Sequence, residues 1–138
     1  MLAKVTHLNS FILYLTRLVL ALFFIFVGIT HFTNPSFFLE IMPPYIPFHR
    51  FFIALSGLFE VVGGLGLLPF SHKKVQNLRF WAGLLLIATL IGVFPANIHM
   101  ALNPQDFAHF GTASDLYLRL PMQFILIGLV WFSSKKRN

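Results

Sequence analysis

Four long apolar runs, about Phe11–Thr30, Phe51–Leu68, Phe80–His99 and Leu118–Ser134, take up most of this chain and decide what it can fold into. Each approaches the roughly 20 apolar residues that a helix needs to cross the hydrocarbon core of a bilayer. Backbone in hydrocarbon must satisfy its own hydrogen bonds, so such runs are helices. Only 10% of the 138 residues are charged and 57% are hydrophobic, whereas soluble domains are about 25% charged. The expected fold is all-α: a four-helix transmembrane bundle forming one domain over residues 1–138, with no chain left for a soluble domain. The first run is expected to stay as a helix and not to be cleaved as a signal peptide. It is long for such a segment, contains Arg17 and is followed by no small-x-small site.

Charge is divided unevenly between the ends of these runs. Lys4 precedes the first, Lys73, Lys74 and Arg79 separate the second from the third, and Lys135, Lys136 and Arg137 follow the fourth. The other two connections hold Glu40, Asp106 and Asp115, with Arg50 and Arg119 at their edges. The positive-inside rule then places both termini and the middle loop in the cytoplasm, in what is expected to be a bacterial plasma (inner) membrane. The closing KKRN reads as a stop-transfer anchor, with a eukaryotic dilysine retrieval signal as the alternative. The net charge of +6 is therefore topological. Its basic residues form short flanks and no stripe, so no nucleic-acid partner is expected. The absence of cysteine excludes thiol–disulfide chemistry, cysteine-ligated iron–sulfur clusters and structural Cys-zinc sites in this chain.

Against this apolar background Glu60 stands out, within SGLFEVVGGLGLL. A lone carboxylate at that depth costs roughly 3 kcal/mol or more, and normally faces a protein interior or a watery cavity. At 100° per residue, Ser56, Gly57, Glu60, Gly63 and Gly64 share a helix face, as do Tyr14, Arg17, Ala21, Phe24, Gly28 and His31 in the first run. The small residues allow close helix approach. Counted from the cytoplasmic ends of their runs, Arg17 lies about 10 Å deep and Glu60 about 12 Å deep. A buried Arg17–Glu60 ion pair is expected, with Tyr14 as a further donor. Arg119 is the rival partner, starting nearer the outer surface.

The remaining polar residues fall in the outer third. The third run clusters Ala88, Gly92, Pro95, Ala96 and His99, and Pro95 should free the carbonyl of Ile91 and kink the helix. Asn97 lies off that face unless the break at VFPAN re-aims it. Arg119 and Gln123 share a face of the fourth helix, with Pro121 expected in its tolerant first turn. His31, Asn97, His99, Arg119 and Gln123 are thus expected to form a polar vestibule that binds a ligand. No two of His31, His49, His99 and His109 are spaced i, i+4 on one helix, so no metal site is expected. Axial haem ligation by His31 and His99 is the alternative to ordinary interfacial hydrogen bonding. Between the first two runs, FTNPSFFLEIMPPYIPFHRF is too rich in Pro and aromatics for a plain linker. Phe37, Phe38, Ile41, Tyr45 and Phe48 should cap the outer interface as a partly re-entrant segment. The cap would also suit gating of an apolar ligand such as a quinone or lipid.

Taken in order, GITHF, the Pro-rich segment ending IMPPYIPFHR, SGLFEVVGGLGLL, VFPANIHMAL and LRLPMQ resemble the DoxX family, over about Arg17 to Trp131. The resemblance implies a small four-helix integral membrane protein. Some relatives are linked to quinone-coupled sulfur oxidation or membrane redox complexes; more distant ones act as membrane-protein chaperones or cargo receptors. The family's polar positions correspond here to Arg17, His31, Glu60, Asn97, Arg119 and Gln123, and the resemblance transfers no catalytic mechanism to them. The expected function is a non-catalytic or quinone-contacting subunit of a membrane redox complex. It would have no intrinsic cofactor, quinone as ligand, and the bilayer and a membrane or soluble oxidoreductase as partners. The alternatives are a scaffold, chaperone or assembly factor, and a small-solute or proton pathway through Glu60, the last calling for a homo-oligomer.

Overall fold

Helix α1 (Leu2–Thr33) leads into a short α2 (Pro35–Glu40), followed by α3 (His49–Leu67), α4 (Lys73–Leu102), a 3-10 turn (Ala108–Phe110) and α5 (Ala113–Ser134). The structure is a computed structural model that describes residues 2–70 and 73–135. Among them there is no strand, and four helices are long and apolar enough to span a membrane: Asn9–Thr33, His49–Leu67, Asn77–Leu102 and Ala113–Ser134. Lys136 and Arg137 lie outside the described residues, as do the side chains of Lys4, Lys73 and Lys74.

The helices follow one another around a ring. α1 packs extensively on α3, α3 on α4 and α4 on α5, but α5 closes only thinly on α1. Glycines of α3 set these distances. A Cβ on Gly57 would lie 2.9 Å from the Gly28 carbonyl oxygen, and one on Gly64 would lie 2.9 Å from that of Ala21, so the α1 and α3 backbones touch. Gly63 meets Leu86, and Gly66 meets Ala82, on the α4 side. The small residues recognised on one face therefore serve two neighbours, with Glu60 between them.

One end of the bundle is solid. Leu20, Ala21, Phe24, Leu67, Leu86, Leu90 and Val130 form its core. There Arg17 Nε donates to the Ser133 carbonyl at 2.8 Å, and Gly83 makes room for Ser134. Arg79, expected as a loop charge, is instead buried within α4. Its Nη2 donates to the carbonyls of Leu68 and Phe70, at 3.2 and 3.0 Å, and so ties α4 to the segment that follows α3.

The helix register overturns the expected Arg17–Glu60 pair. Gly57 faces His31 and Gly64 faces Ala21. Glu60 is therefore level with about residue 27 of α1, and Arg17 lies some ten residues, or about 15 Å, further along the axis. Equal depths presumed that the two apolar runs begin flush, whereas the apolar run of α1, from Phe11, starts about two turns beyond the end of α3. Tyr14 is half exposed on the outer surface. The start of α5 also differs from expectation: Thr112 and Asp115 form a capping box, extending the helix back to Ala113. Pro121 consequently lies inside the helix and not in its first turn.

Candidate functional site

Beyond the solid end, the helices separate around a cavity of about 580 Å³. Small residues on α4 create this space. Ala88, Gly92 and Ala96 are four apart and line it, and a Cβ added to Gly92 would meet nothing within 4 Å. Opposite stand Phe23, Phe24 and Val27 of α1, with Ile53, Leu55 and Phe59 of α3. Phe37, Phe38, Ile41, Met42 and Ile46, from the Pro-rich connection, line the end away from the solid core. The expected cap is thus present. Tyr45 packs instead against His99, and Phe48 is exposed.

Polar groups reach this cavity at two levels. Glu60 is buried, with 5% of its surface exposed, and the Gly63–Leu86 contact sets it level with Thr89, next to the solid core. Its nearest ionisable neighbour is His31, whose Nδ1 lies 3.3 Å from Glu60 Oε2. The same Nδ1 lies 3.0 Å from the Val27 carbonyl oxygen. A carbonyl can only accept, so that contact requires the proton on Nδ1, and in the neutral ring Nε2 is an acceptor. Glu60 Oε2 is left with no hydrogen-bond donor. The Phe38 ring stacks on the His31 ring at 3.6 Å and 20°. Thr89 and Ser56 turn their hydroxyls back to the carbonyls of Leu85 and Ile53, so they offer no spare donor.

Arg119 occupies the opposite, outer level. It lines the cavity from α5, where its charge also acts on Asp115 one turn earlier in the helix. Asn97 also lines the cavity, although α4 runs as one continuous helix through VFPAN without the expected break. Its Nδ2 donates to Gln123 Oε1 at 2.5 Å. Gln123 is buried, and its Nε2 donates to the Leu90 carbonyl. The side chain therefore serves the α4 backbone one turn before Pro95, one residue before the carbonyl expected to be freed.

Of the residues expected in the vestibule, the structure brings His31, Asn97 and Arg119 to the cavity together with Glu60. Gln123 stands behind Asn97 as its support. His99 belongs elsewhere: it contacts Asn103 and packs edge-on against Tyr45 and Phe107, in the cap. His31, in contrast, lies beside Glu60 with Phe38 stacked on its ring. Among the described residues, no group of three His, Cys, Asp or Glu side chains is placed to hold a metal ion. The small-residue wall of α4 had a signal in sequence, the i, i+4, i+8 spacing of Ala88, Gly92 and Ala96. Whether such a wall faces a helix or a void depends on the neighbouring helices, which the spacing does not specify.

No curated protein and no solved structure matches this chain. One family model, described as a domain of unknown function (DUF8561), matches residues 20–134, which include every cavity-lining residue. The chain belongs to the DUF8561 family.

Proposed function

We propose that the bundle binds a membrane-soluble small molecule of the quinone class, acting as a non-catalytic, quinone-contacting subunit beside an oxidoreductase. The cavity carries this reading. Small-molecule sites occupy about 300–1,000 Å³, with mostly apolar walls and a few polar groups that fix orientation. The space between α1, α3, α4 and α5 fits that description at about 580 Å³, with Glu60 and His31 at one level and Arg119 and Asn97 at the other. Its aromatic and aliphatic walls suit a flat ring, and the thin α1–α5 seam offers a way in from the lipid. The DoxX-like order of sequence motifs supports the same class of ligand. The start of α1, the α3–α4 connection and the end of α5 share one end of the bundle, and its basic flanks argue for a cytoplasmic position in a bacterial inner membrane.

The test is direct binding. Purified protein in detergent is titrated by calorimetry with a short-chain benzoquinone and with its reduced form, and the same titrations are made on Gly92→Leu, which fills the cavity. Saturable binding lost in Gly92→Leu is the expected result. No binding of either form, or binding untouched by the substitution, would refute the reading. Ligand-free protein that co-purifies with a membrane partner would favour the scaffold alternative. A proton or solute pathway through Glu60 meets an obstacle within one chain, because the Phe24, Leu86 and Leu90 cluster fills the bundle beyond it.

A further inference from the structure

We infer that the cavity's ligand carries a hydrocarbon chain, and that this chain leaves the bundle sideways along a groove between α3 and α4. The inference rests on the quinone-class reading and deepens it, from a ring to a ring with a membrane-embedded tail. Near the solid core α3 and α4 touch, Gly63 against Leu86 and Gly66 against Ala82. Carried outward by that register, Leu55 and Phe59 of α3 stand level with about residues 94 and 90 of α4. There α4 has no close neighbour at Gly92, where an added Cβ would meet nothing within 4 Å. Ala88 and Gly92 are both exposed, although both line the cavity. This opening faces away from α5. At 100° per residue Gly92 points about 160–180° from Gly83 and Phe94, which meet Ser134 and Phe124 of α5.

The polar end of the ligand belongs deeper in. Glu60 is buried, its Oε2 has no hydrogen-bond partner, and it lines the same cavity level with Thr89. A buried polar group of this kind calls for a polar partner, and the hydroxyls of Thr89 and Ser56 turn back to their own helices. The groove is the reverse: Leu55, Phe59, Ala88 and Gly92 carry no polar side-chain atom. An amphiphile is sorted by this arrangement, with its polar ring beside Glu60 and its chain between the apolar walls. Lipid tails are as apolar as those walls, so a chain that lies partly in the groove and partly in the bilayer pays no desolvation cost. A chain too long for a cavity of about 580 Å³ can then be accommodated. The α1–α5 seam is the other lateral opening, and the cavity residues on that side include the bulky Phe23 and Arg119.

The experiment uses the full chain in detergent and three probes: a chainless dimethoxy-methyl-benzoquinone, its decyl homologue, and a decyl homologue with a photoreactive diazirine in mid-chain. Affinities are expressed per mole fraction in the micelle, which removes the chain's own preference for detergent. Wild-type protein is expected to bind the decyl form within about threefold of the chainless ring, since the chain stays in an apolar medium throughout. Illumination should attach the diazirine probe to residues 52–59 and 88–96, and excess decyl form should suppress that labelling. Ala88→Phe, which sets a ring at the groove, should weaken the decyl form about tenfold relative to the chainless one, the scale of a steric clash. Leu126→Phe, on the α5 side, should leave that ratio unchanged. A decyl form more than about tenfold weaker than the chainless ring in the wild type would show an enclosed site. Labelling centred on residues 23–27 and 126, or a ratio altered by Leu126→Phe alone, would move the chain to the seam. Labelling that excess decyl form does not suppress would mean that ordinary lipid or detergent chains fill the groove. Each of these overturns the inference, while binding of the chainless ring keeps quinone-class binding intact. Failure of the chainless and decyl forms alike to bind would remove the underlying reading as well. The labelling needs no substitution, so the inference stays testable even if Ala88→Phe does not fold.

Discussion

Gly57 of α3 and His31 of α1 stand so close that a methyl group on Gly57 would lie 2.5 Å from the His31 Cβ. The same methyl would lie 2.9 Å from the Gly28 carbonyl oxygen, so neither neighbour is a flexible chain end that can swing aside. Gly57→Ala is expected to push α1 from α3 and to lower stability by about 1–3 kcal/mol, as overpacking does in tight cores. It should also carry His31 away from Glu60. Gly128→Ala is the control: nothing lies within 4 Å of a Cβ there, and the change is expected to be neutral or stabilising by up to about 1 kcal/mol. Thermal unfolding in one detergent compares the two, and equal melting temperatures would contradict the contact.

Arg17 and Glu60 belong to separate parts of the bundle. Arg17 ties α1 to the Ser133 carbonyl at the solid end, and Glu60 lines the cavity beside His31. Arg17→Gln and Glu60→Gln are therefore expected to be additive within about 0.5 kcal/mol, as distant sites are. A coupling above about 1 kcal/mol in the double-mutant cycle would restore the ion pair that the sequence suggests. Glu60→Gln with His31→Ala, in contrast, should be non-additive.

The sequence carries the helices plainly and their offsets poorly. Four apolar runs lead directly to α1, α3, α4 and α5, because lipid leaves no other backbone solution. The partner of Glu60 depends on how far α1 slides past α3. That offset is set by where Gly28, Gly57 and Gly64 let the backbones meet, and not by where the apolar runs start. His31 was legible as a polar vestibule residue but not as the neighbour of Glu60, for the same reason. His99 shares a helical face with Gly92, yet its ring goes to the cap, where Tyr45 and Phe107 supply packing that helical periodicity alone does not reveal. The start of α5 was legible and was missed: the spacing of Thr112 and Asp115 resembles the S/T-x-x-E/Q capping box.

Gln123 joins α5 to α4 through two contacts, accepting from Asn97 and donating to the Leu90 carbonyl. Gln123→Leu keeps the approximate volume and deletes both. It is expected to lower stability by about 1–3 kcal/mol, since the Asn97 amide and the Leu90 carbonyl both lose a partner. Amide hydrogen exchange should rise locally around residues 90–97. Uniformly unchanged protection would show that the helix around Pro95 needs no side-chain support.

Filling the cavity separates stability from binding. Gly92→Leu places its side chain in open space and replaces glycine by a good helix former, a gain of about 1 kcal/mol at most. Its melting temperature is expected to match or exceed that of the wild type while saturable quinone-class binding disappears. A melting temperature several degrees lower would mean that the cavity wall is already packed.

The cap should govern how fast a ligand leaves. Phe38 covers His31 by stacking. Two contacts hold its helix to the α4–α5 connection: Glu40 Oε1 to His109 Nε2 at 2.6 Å, and Phe37 edge-on to Phe110 with centroids 5.0 Å apart. Both members of the Glu40–His109 pair are about half exposed, their side chains at 53%, so the pair contributes at most about 1 kcal/mol to stability. Glu40→Gln is therefore expected to leave the melting temperature within a degree or two of the wild type. Because the pair pins the free edge of the cap, its loss should still speed ligand release, the step through which most affinity changes act. Stopped-flow displacement of a bound short-chain benzoquinone is expected to show release several-fold faster in Glu40→Gln, and faster again in Phe38→Ala, where the ring over His31 is gone. Unaltered release in both variants would mean that the ligand leaves sideways, through the α1–α5 seam, and that the cap is a fixed wall.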